Sequence, residues 1–538
     1  MRLSFILYIG CVLCVSVCNG YKYLMVLNSA GRSHFIFGNA LAKGLVEAGH
    51  EVTVLSAHSK KLPMKGYHPI ATPNIINVMS GDIAALWQSV QKPLVENLID
   101  HYKMGFRITR ALLEDENLQT LLHGNSTFDA VICETFYNDA QYGLAEHFNA
   151  PLIGLSTGAG LTFITDMVGS PAPPSYVPHI MLPFNDHMSL YERLVNVAFL
   201  AYERLLLDYY YLPRQALLYK EFFPHNKHSF FDMRRNASLV LINQHVSLSF
   251  PRPYSPNMIE VGGLHIDGKV NPLPVHIEKF LNESEHGAIY FSMGSNLKSK
   301  DLPEEKQKII LEAFRSLKLR VLWKFERTDL AGKPDNVLIS DWFPQTDILA
   351  HPKILAFVTH GGQLSTTESV YFGKPVIGIP IFSDQFFNMA RAEQSGYGIM
   401  LNFKSLTAAD FTKAIQRITT EPSYTRQVRA MSANYRDQQQ TPLANAIYWV
   451  EHVTRQNGAG YLKSAAQRLR WFQYHNVDVL LIILSILLFV LIGIPLSLVW
   501  LPININAGEC RPGISHGHDN DDNEATPPLH VCEEPQQQ

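Results

Sequence analysis

Short apolar segments alternate with amphipathic stretches along most of this 538-residue chain. The first apolar segment, residues 22–28 (KYLMVLN), is followed by a helical pattern over about residues 33–48 and by a second apolar segment at residues 50–56. A continuous apolar run bounded by turn residues is typical of a strand buried on both faces. Strand, helix and strand at this spacing predict a right-handed crossover unit of a parallel sheet.

The same alternation divides the chain into two α/β halves. In the first half, further strands are predicted at residues 128–134 and 151–157, before a mainly helical, Tyr-rich span at 171–231. In the second half, the predicted strands are residues 288–295, 320–326, 337–342, 354–359 and 375–380, with helices at 302–317 and 384–395. A proline-rich stretch between them favours a linker. We therefore predict an N-terminal Rossmann-like domain over residues 21–250, a linker over 251–284 and a C-terminal Rossmann-like domain over 285–460.

Two further apolar stretches lie near the ends of the chain. Residues 1–20 contain Arg2, an apolar run and a small-residue end, which is the pattern of a secretory signal peptide. Residues 479–500 are almost uncharged and rich in Leu and Ile, and about 20 such residues suffice to span a bilayer. We therefore expect a juxtamembrane segment at 461–478, one transmembrane helix at 479–500 and a cytoplasmic tail at 501–538.

The predicted topology is that of a single-pass type I membrane protein whose body lies in the secretory lumen. Glycosylation sequons at Asn125, Asn236 and Asn282 all precede the span. Cys133 is the one cysteine between the signal peptide and the span, so no disulfide is expected inside the body. Charge points the other way, because the flank before the span is basic and the tail is acidic. A cleaved leader decides for a lumenal body, since long domains cross membranes largely regardless of charge.

Candidate chemistry is concentrated in residues 354–385, ILAFVTHGGQLSTTESVYFGKPVIGIPIFSDQ. An apolar strand leads into a His-Gly-Gly turn at 360–362 and then into a helix. A helix that begins just after a strand presents unpaired N–H groups and a positive dipole end, which favour an anion such as a diphosphate. Gly361 and Gly362 allow close approach of the backbone, and hydroxyl donors follow at Ser365, Thr366 and Thr367. The alternative is a Gly-Gly turn that only reverses the chain.

This segment resembles the signature of the membrane-bound UDP-glycosyltransferases. It has Thr-His-Gly-Gly, an acid eight residues after the His (Glu368), prolines at 375 and 380, and a closing Asp384-Gln385 pair. The resemblance covers roughly residues 21–500 and is strongest to arthropod members. It implies the GT-B fold, in which two Rossmann-like domains face each other across a cleft. The N-terminal domain then binds the acceptor and the C-terminal domain binds the UDP-sugar.

The resemblance assigns the donor contacts residue by residue. Trp342 stacks on uracil, the Phe343 backbone reads the edge of that base, and Gln345 reaches the base or the ribose. Glu368 accepts from ribose hydroxyls, while Asp384 and Gln385 hold the transferred sugar. The diphosphate contacts are Ser295, His360, Gly361, Gly362 and Ser365. Taken without the resemblance, Trp342 can equally be a core residue, and Asp384 can equally cap the helix that follows it.

A catalytic pair is predicted in the N-terminal domain. His34 begins the helix after the first strand, so its imidazole can face the cleft as a general base. Glu134 ends a strand and is expected to orient that imidazole and stabilise its charged form. Many relatives have Asp at this point, and Asp139 is the local competitor for the same role.

The predicted reaction is transfer of a hexose, with glucose favoured, from a UDP-sugar to a hydroxyl of a small lipophilic acceptor, with inversion at the anomeric carbon. No metal and no cofactor beyond the donor are expected, and the one Asp-x-Asp triplet, at residues 519–521, lies in the tail. A net charge of −3 speaks against a nucleic-acid partner. Alternatives are UDP-glucuronate as donor, a non-catalytic lumenal binding protein and a UDP-sugar epimerase. The oligomeric state stays open, a homo-oligomer included.

Two features distinguish the chain from vertebrate relatives. Gln363 and Leu364 follow His-Gly-Gly where many of them have a small residue and Asn, so an amide donor to phosphate is missing and the donor tilts towards UDP-glucose. The acidic tail has no lysine-based retrieval signal, so residence in the endoplasmic reticulum rests on the resemblance alone. The acceptor groove is expected around Phe35, Phe37 and residues 202–219.

Overall fold

The computed structural model describes residues 20–59, 62–85, 87 and 92–498. The predicted signal peptide, apart from Gly20, and the predicted tail lie outside these residues, as does the Asp-x-Asp triplet. The chain up to Leu469 forms one compact unit, and the segment from Arg470 onward forms a second. All strands described below belong to the first unit.

The N-terminal sheet has seven strands in the order β3-β2-β1-β4-β5-β6-β7, and every pairing between them is parallel. The strands are β1 Lys22–Leu27, β2 Glu51–Ser56, β3 Tyr67–Ala71, β4 Ala130–Glu134, β5 Leu152–Ser156, β6 Leu239–Ile242 and β7 Met258–Glu260. The helices among them are α1 Arg32–Glu47, α2 Asn74–Ala85, α3 Leu94–Leu113, α4 Glu116–Leu122, α5 Gly143–His147, α6 Thr162–Val168, α7 Leu190–Leu206, α8 Leu212–Phe222 and α9 Phe230–Arg234. A single π-helical turn, Leu207–Tyr211, joins α7 to α8.

The C-terminal sheet has six strands in the order β10-β9-β8-β11-β12-β13, again all parallel. They are β8 Ala288–Ser292, β9 Arg320–Lys324, β10 Val337–Ser340, β11 Ile354–Thr359, β12 Val376–Gly378 and β13 Gly398–Met400. The helices of this half are α10 Val275–Asn282, α11 Glu304–Arg315, α12 Gln345–Ala350, α13 Gln363–Tyr371, α14 Gln385–Gln394, α15 Ala408–Thr420, α16 Pro422–Arg436 and α17 Pro442–Arg455.

The central strands of both sheets are buried on both faces, which explains why they are continuous apolar runs rather than alternating ones. In β1, Leu24 and Val26 belong to one core cluster, whereas Tyr23, Met25 and Leu27 belong to the cluster on the other face. Because the strands of each sheet are parallel, their carboxyl ends lie at one edge of that sheet. That edge is where the candidate site lies.

The predicted linker, residues 251–284, holds two structured elements. Strand β7 pairs with β6 and completes the first sheet. Helix α10 buries Ile277 and Leu281 in the core of the second domain. The connection between the sheets is therefore shorter than the proline pattern indicates, because short apolar elements are interspersed among the prolines. The exact domain boundaries stay a prediction.

Helix α17, the last helix of the predicted C-terminal domain, packs on the N-terminal domain. On α17, the side chains Ala446, Val450 and Val453 are fully buried in the same cluster as Leu41 and Leu45 of α1. Spacing of four and three residues places these three on one helical face. The chain thus returns to the first sheet before it reaches the second unit.

The second unit contains one helix that is long and apolar enough to cross a membrane, Val477–Leu498. It comprises an α-helical part, α19 Val477–Leu488, and a π-helical turn at Phe489–Gly493, and it follows the short helix α18 Trp471–Tyr474. The predicted span began two residues later, at 479. None of the described residues of this helix is buried, as expected for a helix that faces lipid.

Candidate active site

A cavity of about 680 Å³ lies between the carboxyl ends of the two sheets. Eleven of the thirteen predicted site residues line it: His34, Ser295, Trp342, Phe343, Gln345, His360, Gly362, Ser365, Glu368, Asp384 and Gln385. The other two stand directly behind this wall. Glu134 contacts His34 from below, and Gly361 lies between His360 and Gly362 with a φ of +86°.

His34 and Glu134 form a hydrogen-bonded pair. His34 is in the first turn of α1, and Glu134 is the last residue of β4, which is the neighbour of β1 in the sheet. Nδ1 of His34 lies 2.5 Å from Oε1 of the fully buried Glu134 and 3.0 Å from the Thr157 hydroxyl. A carboxylate can only accept, so Nδ1 carries the proton and Nε2 is left with its lone pair. This lone pair is not used by Glu134 or Thr157, and the His34 side chain lines the cavity.

Asp139, the competing carboxylate, serves another purpose. Its carboxyl group accepts from Nε of the buried Arg234 (2.8 Å) and from the hydroxyl of Tyr211. Arg234 also donates to Asp166 (2.8 Å). Asp139 is thus part of a buried ion-pair network inside the first domain, and among the two candidates the structure brings only Glu134 to His34.

His360 is half-buried among glycines that leave room for its ring. A Cβ at Gly294, where φ is +85°, would lie 2.5 Å from Cε1 of His360, and a Cβ at Gly362 would lie 2.6 Å from its Nε2. Burial, reinforced by the positive charge of Lys324, lowers the pKa of His360 to about 4. The imidazole is therefore neutral at physiological pH and offers one N–H donor rather than a positive charge.

The segment predicted to cradle the anion forms the start of α13. Gly362 is its N-cap residue and has no side chain to cap the first turn, while the N–H of Gln363 is hydrogen-bonded to the carboxyl group of Asp384. The hydroxyls of Thr366 and Thr367 donate back to main-chain oxygens of residues 362 and 363. Contrary to expectation, these two therefore do not point at the anion, and Ser365 alone of the three lines the cavity.

Trp342 presents a half-exposed ring with cations nearby. The guanidinium carbon of Arg32 lies 4.2 Å from the ring centroid, and the ammonium of Lys324 lies 5.9 Å from it. Lys324 itself is buried and donates to the Gly294 carbonyl (3.0 Å) and to Glu326 (2.6 Å). Lys324 was not predicted; the signal for it is a lysine that ends the otherwise apolar run of β9 and is buried, which is unusual for this residue type.

Glu368 is held by two donors. Nε2 of Gln345 donates to its Oε2 (2.7 Å), and Nε2 of His265 donates to its Oε1 (3.0 Å). The Tyr290 hydroxyl in turn donates to Oε1 of Gln345 (3.3 Å). His265 was not predicted, because it lies in the connection between the sheets and follows no periodic pattern.

Asp384 and Gln385 stand at the start of α14. Asp384 occupies the N-cap position but makes no capping bond with its side chain; instead it accepts from Nδ2 of Asn388 (2.8 Å). Burial raises the pKa of its carboxyl group, although Asn388 and the charge of His34 act in the opposite direction. Oε1 of Gln385 accepts the N–H groups of Ile381 (2.8 Å) and Phe382 (3.2 Å), which leaves its Nε2 for another partner.

Gln363 and Leu364 join the two domains. Nε2 of Gln363 donates to the carbonyl of Asn243 at the end of the first sheet (3.1 Å), and Leu364 packs on the core cluster of the first domain. The side chain of Gln363 therefore bridges to the opposite domain. The absent amide donor is replaced here by an interdomain contact.

The acceptor side of the cavity differs from expectation. Phe37 is fully buried with Leu41 and Leu45 because these three share one face of α1, and Phe35 packs on the same cluster. None of the tyrosines of residues 202–219 lines the cavity: Tyr209 is exposed, and the other four belong to or pack against the core of the first domain. The cavity is lined on this side by Ile36, Met104, Phe136, Tyr137, Leu161 and Met181, with Asp100, Lys103 and Arg107 among its polar residues.

Solved structures share this architecture. TcCGT1 in complex with UDP matches with a TM-score of 0.55 at 15% identity, covering 81% of this chain and 100% of that one. CalG4, the calicheamicin glycosyltransferase, matches with a TM-score of 0.53 at 18% identity, covering 81% and 99%. At these identities the likeness concerns the fold, which is the GT-B fold of glycosyltransferases.

Sequence comparison then places the chain in its family. The model of the family UDPGT, UDP-glucoronosyl and UDP-glucosyl transferase, matches residues 24–501. UDP-glycosyltransferase UGT5 of Dactylopius coccus is 35% identical over 501 residues, covering 90% of this chain and 94% of the relative. UDP-glucuronosyltransferase 2B15 of Homo sapiens is 32% identical over 478 residues, covering 84% and 88%. The chain belongs to this family of UDP-glycosyltransferases and is a glycosyltransferase enzyme.

Proposed function

We propose that this enzyme transfers glucose from UDP-glucose to a hydroxyl group of a small lipophilic acceptor, with inversion at the anomeric carbon and without a metal ion. The observation that carries the proposal is the His34–Glu134 pair, 2.5 Å apart, on a cavity wall that faces the nucleotide-side residues. A base with a buried carboxylate behind it serves proton removal and has no evident purpose in a protein that only binds.

The chemistry follows from the placement of these groups. Nε2 of His34 takes the proton from the acceptor hydroxyl as its oxygen bonds to the anomeric carbon, and the bond from that carbon to the UDP oxygen breaks. Glu134 stabilises the imidazolium that results. The base stands on one domain and the diphosphate cradle on the other, so attack comes from the side opposite UDP. A single displacement of this kind inverts the configuration.

Departure of UDP increases the negative charge on the diphosphate. Three features of the second domain oppose that charge: the first turn of α13, the N–H of neutral His360 and the ammonium of Lys324. Preorganised donors of this type lower the barrier because they need no rearrangement during the reaction. In the proposal they take the place of a metal ion.

The charges around Asp384 favour a neutral hexose. Among the described residues that line the cavity, the lysines and arginines are Lys92, Lys103 and Arg107 of the acceptor side and Lys324 beside Trp342. A glucuronate carboxylate held near Asp384 would therefore meet a second carboxyl group, and the cationic side chain that acts on Asp384 is His34, which the proposed reaction uses as its base. The hydroxyl groups of glucose can donate hydrogen bonds to the Asp384 carboxylate and accept one from Nε2 of Gln385.

We further propose that the body lies in the lumen of the endoplasmic reticulum, anchored by the helix Val477–Leu498. The helix is long and apolar enough for this role, and the predicted leader supplies the orientation. Protease protection of the body in sealed microsomes, followed by its loss when detergent is added, tests the orientation directly.

The decisive experiment uses purified protein with UDP-glucose, UDP-glucuronate and UDP-galactose against a panel of phenols, steroids and lipid alcohols. Formation of a β-glucoside from α-configured UDP-glucose, unchanged by a chelator, is the expected result. His34→Ala should bind UDP as the natural protein does and lose turnover. Transfer from UDP-glucuronate alone would overturn the choice of sugar. Full turnover by His34→Ala would overturn the catalytic assignment.

A further inference from the structure

His265 lies at the nucleotide wall although it belongs to neither sheet. It follows β7 in the connection between the domains and lines the cavity. Its Nε2 donates to Oε1 of Glu368 at 3.0 Å, and the two side chains are only 2% and 8% exposed. A buried hydrogen bond to a charged group is among the stronger polar contacts in proteins.

The backbone before His265 is anchored to both domains. The carbonyl of Gly262 accepts from the hydroxyl of Tyr435 on α16 (2.6 Å), and the N–H of Gly263 donates to Oδ1 of Asn243 after β6 (3.2 Å). Gly263 has a φ of +82°, and a Cβ there would lie 2.0 Å from the Tyr435 hydroxyl. The imidazole therefore approaches Glu368 from a fixed main chain.

The bond also fixes the tautomer of the neutral ring. Because Nε2 donates, the lone pair of the neutral imidazole is on Nδ1, and that atom is buried without a partner. The neutral His265 ring thus donates its one N–H to Glu368. Together with Gln345 it occupies one position on each carboxylate oxygen and leaves the remaining lone pairs of Glu368 for a ligand.

We propose that His265 is a positioning residue for ribose recognition: it holds the Glu368 carboxylate in the orientation that accepts the ribose hydroxyls of the UDP-sugar. The inference rests on the proposed function, because it takes the nucleotide to bind at this wall. It assigns to the connection between the domains a direct part in donor selection. To accept from both hydroxyls of a vicinal diol, the Glu368 carboxylate must hold both of its oxygens in the right orientation. The hydrogen bond from His265 fixes the position of Oε1.

The test measures binding of UDP, 2′-deoxy-UDP and 3′-deoxy-UDP to the full chain by calorimetry. His265→Leu removes the donor at similar bulk, whereas His265→Gln places an amide nitrogen near the position of Nε2 and is the matched control. We expect the natural protein to prefer UDP over at least one deoxy analogue. His265→Leu should weaken UDP about tenfold or more while weakening that analogue much less, so the preference shrinks. His265→Gln should keep most of it.

Equal loss of affinity for UDP and for the deoxy analogues in folded His265→Leu would overturn the inference, since a merely structural residue acts on all three alike. Unchanged binding would overturn it as well. If the Leu variant does not fold, His265→Asn, whose amide is too short to reach Glu368, takes its place in the same comparison. Failure of the natural protein to bind UDP at all would instead overturn the proposed function.

Discussion

Arg32 of the first domain lies over the indole ring of Trp342 in the second, with its guanidinium carbon 4.2 Å from the ring centroid. Arg32 is two residues before His34 on α1. Trp342 is 44% exposed and lines the cavity. The contact therefore connects the helix that carries the proposed base to the residue proposed to stack on uracil.

Trp342→Ala should weaken UDP binding about tenfold or more, because stacking on an aromatic ring contributes about 1–3 kcal/mol per base. Arg32→Leu should weaken it about two- to fivefold, the size of a solvent-accessible cation–π contact that preorganises the ring. Calorimetry with UDP measures both, and Arg32→Lys, which keeps a cation, is the control. Tighter binding by Arg32→Leu would contradict this reading and indicate that Arg32 covers the ring face that uracil needs.

Glu134→Gln should lower kcat about a hundredfold or more with little change in UDP affinity. The amide keeps the size of the side chain but removes the charge that stabilises the imidazolium of His34. Steady-state kinetics with the best acceptor, together with UDP calorimetry, check the two halves of the expectation. Asp139→Asn provides the contrast. It breaks the buried pair with Arg234, so the expected loss is in thermal stability. Equal kcat losses in both variants would count against a special role for Glu134.

Gln363→Ala should cost about 1 kcal/mol in the free energy of unfolding, the net contribution of one hydrogen bond, because the bond to the Asn243 carbonyl is lost. UDP affinity should change less than twofold or so, since the side chain points to the opposite domain rather than to the diphosphate. Urea unfolding and UDP calorimetry distinguish the two effects. A large loss of UDP affinity at unchanged stability would restore the phosphate-binding interpretation of this position.

His360 should make the protein less stable in mild acid. Its pKa falls from 6.5 to about 4 on burial, so between these values the unfolded chain binds a proton that the folded protein excludes. Stability that is fully present above the unfolded pKa is therefore lost as the pH falls through this window. Between about pH 7.5 and pH 5, linkage gives a loss of about 2 kcal/mol from this one group. Comparing urea unfolding of the natural protein and His360→Asn at both pH values isolates it, and parallel losses in the two proteins would refute the assignment.

Most strands, and the helices α1, α11 and α14, were predicted from local pattern alone. The predicted strands are β1, β2, β4, β5, β8, β9, β10, β11 and β12, each within a few residues of where it lies. The missed strands are β3, β6, β7 and β13, which have three to five residues each. Length alone does not explain the misses, since the predicted strands β10 and β12 are as short. A segment of this size has no measurable period, and it becomes a strand because a neighbouring strand in the sheet is there to pair with it.

The site divides in a similar way. Residues inside the His-Gly-Gly segment and at the ends of predicted strands were found because parallel strands place their carboxyl ends at one edge. His265, Lys324 and Arg32 were not found, because their importance comes from a partner far away in the chain. The hydroxyls of Thr366 and Thr367 were assigned wrongly, since sequence does not show that a helix will use them for its own carbonyls.

By itself, the sequence determined the class of fold, the family and the kind of ligand, because apolar periodicity and a dense local motif are properties of neighbouring residues. Tertiary structure alone decided which carboxylate meets His34, which residue steadies Glu368 and where Phe37 and Gln363 point. The hydrogen bonds among these contacts join residues 100, 103 and 120 positions apart. Their geometry depends on how two sheets and their connection pack, and no local pattern contains that information.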